Sequence, residues 1–168
     1  MTSFFYNLQA EIQAVIEGDA WLADVPIILE LDGDYEFMLD QAIYAAGIKK
    51  NDSGKVGIAM AILTPAGPPT GDADQLPESD LTVEISIIEN PQINRHGANG
   101  IGKTGLEVIE HLAELLTNYR PDQIIQPMRW GGYESFQTIR DDRQGGLQNE
   151  VRYVVTFHQV RVIVVPEA

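Results

Sequence analysis

The sequence predicts an α+β fold: a mostly antiparallel or mixed β-sheet with two to three helices packed on one face. Three observations lead there. Residues 81–88, LTVEISII, alternate apolar Leu81, Val83, Ile85 and Ile87 with Thr82, Glu84 and Ser86, the period of a half-buried strand. Residues 103–119 set Leu106, Ile109, Leu112, Ala113 and Leu116 in one apolar stripe at helical spacing, widened by Val108 and Leu115. The remaining strand-like segments come in pairs with short connections, and the repeated strand–helix units of a parallel sheet are missing.

The elements follow in order. Ser3 is placed to cap a first helix running to about Gly18, with Phe5, Leu8, Ile12, Val15 and Ile16 toward the core. Residues 26–31, PIILEL, read as a short strand, and Pro26 stands at its start, where a missing N–H is tolerated. Residues 34–46, DYEFMLDQAIYAA, read as a second helix ending at Gly47. Residues 55–63, KVGIAMAIL, read as a strand. Residues 64–80, TPAGPPTGDADQLPESD, are too rich in Pro, Gly and Asp for either element and are expected to form a long, flexible, exposed loop. Pro121 stops the helix at 103–119. A weak strand at 133–140 and a long one at 150–165 are joined by a hairpin-like turn, DDRQGGLQN. In the long strand the outward positions Arg152, Thr156 and His158 give way, after Val160, to a stretch from Val162 to Val165 that is apolar on both faces. A bulge near His158–Val160, or a strand end buried against another subunit, would explain the change. No internal repeat or second domain is visible, so residues 1–168 are expected to form one domain.

Composition narrows the function. A chain of 168 residues can bury a sizeable core. The absence of cysteine excludes disulfides, thiolate nucleophiles and thiolate metal sites. A formal charge of −14 argues against a surface that binds nucleic acid by neutralising phosphates, and it disfavours anionic membranes. No apolar run approaches the length of a membrane span. The first residues have no basic flank and include Glu11, so a secretory signal is not expected.

The stretch Glu89–Gly105, ENPQINRHGANGIGKTG, reads in two incompatible ways. Gly97, Gly102, Lys103 and Thr104 fit G-x-x-x-x-G-K-S/T, a glycine-rich loop whose amides cradle phosphates. By residue usage that pattern arises by chance in roughly one chain in a hundred of this length, so it is a clue. Lys103 also opens a helix, whose N-terminus could bind an anion. Against it, the apolar strand ends at Ile88 and a polar spacer, Asn90–His96, separates it from the loop. No later apolar strand ends in the Asp that would hold Mg²⁺. The other reading is a polar turn leading into an amphipathic helix.

Other candidates are thinner. Asp32, Asp34 and Glu36 alternate like the start of a calcium loop, but Phe37 and Ile43 stand where that loop needs Gly and Glu. Asp72, Asp74, Glu78 and Asp80 read as solvated loop acids. His96, His111 and His158 lie on three separate elements without paired-ligand spacing. Ser135 lacks a nucleophile-elbow context. Trp130, Gly131, Gly132 and Tyr133 fit either an exposed aromatic tip or a Gly-rich turn anchored by two core aromatics. No catalytic residue, metal ligand or cofactor is assigned.

The strand Val83–Glu89, the segment ENPQINR, the Gly/Lys/Thr turn and the helix ending near Tyr119-Arg120-Pro121 together resemble small tail proteins of long-tailed bacteriophages and prophages, in particular tail-terminator or tail-completion proteins. Glu89, Asn90, Pro91, Asn94 and Arg95 are the sharpest part of the resemblance, which as an order of elements covers residues 3–20 and 81–165. The helix at 34–46 and the loop at 64–80 look like additions to that plan. The resemblance implies a structural virion protein without catalysis or cofactor, assembled in the bacterial host cytoplasm. It implies a ring, usually of six subunits, that caps the tail tube and joins it to the head, with itself, the tail-tube protein and head–tail connector proteins as partners. Val160, Val162 and Val164, with Trp130 and Tyr133, are the residues expected at a subunit interface. A small nucleotide-binding protein using Gly97–Thr104 is the alternative.

Overall fold

The computed structural model describes residues 4–30, 42, 45–46, 56–66, 69–70, 78–95, 100–122, 127–142 and 146–163. Its elements are α1 (Phe4–Glu17), β1 (Ile27–Leu29), β2 (Ile58–Ala66), β3 (Pro69–Thr70), β4 (Glu78–Glu89), α2 (Pro91–Asn94), α3 (Gly105–Leu116), β5 (Arg129–Asp142) and β6 (Gly146–Ile163). The class is α+β, as the sequence predicts. The strands form one mixed sheet in the order β1-β2-β4-β6-β5, with β3 also paired to β4. Among the described residues, only β1 and β2 run parallel.

One face of the sheet carries the main core. Ile58, Met60 and Ile62 of β2, Val83, Ile85 and Ile87 of β4, and Tyr153, Val155 and Phe157 of β6 meet Leu8, Ile12 and Ile16 of α1 and Val108, Ile109, Leu112 and Leu116 of α3. The strand residues recur every second position, as one face of a pleated strand requires. Alternating with them, Ala59, Ala61 and Ile88 pack with Ala42 and Ala46 in a second, smaller cluster. Two parallel neighbours cannot be joined by a tight turn. The crossover from β1 to β2 runs through residues 30–57, and its helical residues Ala42, Ala45 and Ala46 lie against that opposite face. Most of the predicted helix at 34–46 lies outside the described residues, as do Ser3 and the acidic turn at Asp32, Asp34 and Glu36.

Several sequence expectations need correction. Phe5 is 37% exposed and Leu106 is 48% exposed, so neither belongs to the core. The buried line on α1 is Leu8, Ile12 and Ile16 with polar Gln9, and on α3 it is Gly105, Val108, Ile109, Leu112 and Leu116. Leu106 begins a different row, one step round the helix. α3 ends at Leu116, before Pro121, and Asn118 then takes a positive φ of 68°. The segment 64–80 is not one loop. β2 continues to Ala66, Pro69–Thr70 pair with Glu78–Ser79, and β4 begins at Glu78, so Glu78 and Asp80 are strand residues. The middle of that segment lies outside the described residues. Likewise DDRQGGLQN is mostly strand, because β5 runs to Asp142 and β6 starts at Gly146.

Three irregularities let the ladders continue. Between Leu63 and Ala66, β2 spends one residue more than β4, which accommodates Pro65 within the strand. Between Phe157 and Val160, β6 spends one more than β4, placing a bulge at His158–Gln159, where the sequence suggests one. Between Trp130 and Tyr133, β5 spends one more than β6, so Gly131–Gly132 is a bulge inside a strand and not a turn.

β6 is an inner strand, flanked by β4 and β5. Val160 and Val162 pair along the backbone with Leu81 and Ser79. β5 pairs with β6 no further than Arg129 opposite His158, so among the described residues β4 alone lies beside the stretch from Val160 to Ile163. Val164 lies outside the described residues.

Candidate functional site

The segment from Glu89 to Gly105 leaves the end of β4, makes one helical turn and enters α3. Asn90 accepts the first backbone bonds of that turn, from Ile93 N at 3.1 Å and Asn94 N at 2.9 Å. Pro91 opens it, at a position where a missing N–H costs nothing. By sequence alone this stretch reads as a polar spacer, because four residues are too few to show a helical period.

Its centre is Glu89, whose side chain is fully buried. Oε1 accepts from Asn94 Nδ2 at 3.1 Å and Arg95 Nε at 2.8 Å. Oε2 accepts from Arg95 Nη2 at 3.2 Å and from the Gly105 amide at 2.8 Å. Four donors thus converge on two oxygens, and the Arg95 fork is bidentate. A buried carboxylate without partners would be costly, and this one is compensated on both oxygens. The carboxylate in turn raises the pKa of the Arg95 guanidinium above its ordinary value, chiefly through that side-chain hydrogen bond. Burial pushes the neighbouring Tyr153 phenol up and the Glu89 charge adds to it, while Arg95 opposes.

Asn94 ties the turn to α3. Its Nδ2 donates to Glu89 and to the Lys103 carbonyl, at 2.6 Å for the latter. Both partners only accept, so the amide nitrogen must face them. Oδ1 is left buried without a hydrogen-bond partner among the described residues. Two glycines make the close packing possible. A Cβ on Gly57, at φ +83°, would lie 2.2 Å from the Asn94 backbone nitrogen. A Cβ on Gly105 would lie 2.1 Å from the Tyr153 ring and 2.9 Å from Glu89 Oε2.

The residues of the phosphate-loop match can now be placed. Gly97 lies outside the described residues. Gly102, Lys103 and Thr104 do precede α3. Yet the amide of Gly105, the first residue of α3, donates to the buried Glu89 carboxylate. Thr104 is the N-cap, its Oγ1 accepting from Glu107 N at 3.2 Å while Glu107 Oε2 accepts from Thr104 N at 2.7 Å, a capping box. Lys103 turns away: its Nζ donates to the Trp21 carbonyl and stands 4.4 Å from the centroid of the Trp21 ring. The positive end of the helix is thus filled by acidic side chains of the chain itself.

Lys103 belongs to a second cluster. Trp21 stacks on His111, with centroids 4.5 Å apart and planes 22° apart. His111 Nε2 lies 2.9 Å from Asp19 Oδ1, which also accepts from the amides of Trp21 and Leu22. The His111 hydrogen bond is the main cause that holds the Asp19 carboxyl below its ordinary value. Cation, indole, imidazole and carboxylate follow one another and clasp the loop after α1 to α3. No local pattern in the sequence marks this cluster, because His111 and Asp19 are 92 residues apart.

Elsewhere, a shallow depression of about 230 Å³ is lined by Phe4, Asn7, Leu8, Glu11 and Asp122. That is below the usual range for a small-molecule pocket. Glu11 there accepts from Tyr119 Oη at 2.8 Å and from the Asp122 amide at 2.9 Å. Burial, with Glu11 second, pushes the Tyr119 phenol up to about 12. Among the described residues no group of three His, Asp or Glu side chains is placed to hold a metal ion, and no helix is long and apolar enough to cross a membrane.

Of the expected interface residues, Trp130 and Tyr133 are 40% and 50% exposed on β5, an end strand of the sheet. The Trp130 ring nonetheless packs edge-on against Phe157, at 5.6 Å and 75°. The side chains of Val160 and Val162 lie outside what is described. In comparisons with known proteins, no family model matches the chain and no curated sequence is significantly similar to it.

Proposed function

We propose that this chain is a structural, self-associating tail protein of a long-tailed bacteriophage or prophage, of the tail-terminator or tail-completion type. It acts by shape and by contacts with copies of itself and with tail-tube and connector proteins, in a ring at the junction of tail and head, without a cofactor.

One observation carries this reading. The segment that bears the resemblance, Glu89-Asn90-Pro91 with Asn94 and Arg95, is committed to internal bonds that join β4 to α3. The most distinctive residues therefore serve architecture, as expected where shape is the product. The nucleotide alternative would require Lys103 to leave Trp21 and a phosphate to displace Glu89 from the Gly105 amide.

The solution mass tests both. Sedimentation across a concentration range, with and without ATP–Mg²⁺ and with added tail-tube protein, should show self-association indifferent to nucleotide. A chain that stays monomeric in every mixture would remove the ring. Micromolar ATP binding abolished by Lys103→Ala would put the nucleotide reading in its place.

A further inference from the structure

We draw no further inference here: the strongest candidate, the end strand β5 with its exposed aromatic side chains Trp130 and Tyr133, is an unpartnered sheet edge, and nothing in the structure shows what covers it.

Discussion

Glu89→Gln should be among the costliest near-isosteric changes in this protein. Glutamine keeps the shape but replaces one acceptor oxygen with a donor NH₂. Oε1 serves Asn94 Nδ2 and Arg95 Nε, and Oε2 serves Arg95 Nη2 and the Gly105 amide. Whichever side the NH₂ takes, it meets two donors. Two bonds to a charged group are lost, each worth about 1.5–3 kcal/mol. Arg95, 40% exposed, recovers part of its share from water, whereas buried Asn94 or Gly105 recovers none. The net cost is about 3 kcal/mol, which for a chain of this size lowers Tm by roughly 6–12 °C. Urea and thermal melts followed by circular dichroism measure it. Glu107→Gln is the control, because its carboxylate also bonds an N-terminal amide of α3, but in an exposed setting. It should cost less than about 1 kcal/mol. A Glu89→Gln protein within about 1 kcal/mol of wild type would refute the convergence of four donors on this carboxylate.

Three further outcomes are expected. Leu112→Ala should cost about 2–5 kcal/mol, because Leu112 is fully buried, and Leu106→Ala less than about 1 kcal/mol, because Leu106 is half exposed; equal denaturant midpoints would refute the assigned helix face. Asp19 titrates lower when folded, so its contribution is full above the unfolded value of about 3.9 and is lost as pH falls through the folded value. Acid melts should therefore show Asp19→Asn losing less stability than wild type below about pH 4. Tyr119 keeps its proton to about 12 when folded, against about 10 when unfolded, so wild type should lose stability across that interval and Tyr119→Phe should lose less.

The fold class is legible because burial writes a period into the chain. Alternation in Leu81–Ile87 and the helical spacing of Ile109, Leu112 and Leu116 both correspond to buried faces. What misleads is local composition. Pro65 and Pro69 argue for a loop, yet a bulge seats the first in β2 and the second pairs at the sheet margin. Gly131–Gly132 argues for a turn, yet it bulges inside β5. Strand order is harder still. Nothing in the sequence says that the apolar end of β6 lies beside the first residues of β4, with Val160 opposite Leu81 and Val162 opposite Ser79. Pairing between distant segments has no local signature.

The candidate site shows the same limit at the scale of single atoms. A phosphate loop and a capped helix turn use the same residue types for the same reason: both put glycine, lysine and threonine where helix amides point outward. Gly102-Lys103-Thr104 satisfies either. What separates the two is the occupant of those amides, and here the occupant of the first is a carboxylate 16 residues earlier in the chain. A buried anion at a helix N-terminus gains from the same partial charges that would hold a phosphate. It is also already paid for, since Arg95 and Asn94 compensate it from the same short turn. An external anion would have to outcompete a tethered one whose desolvation is complete. The sequence match therefore marks a real anion-binding geometry, and the chain supplies the anion itself.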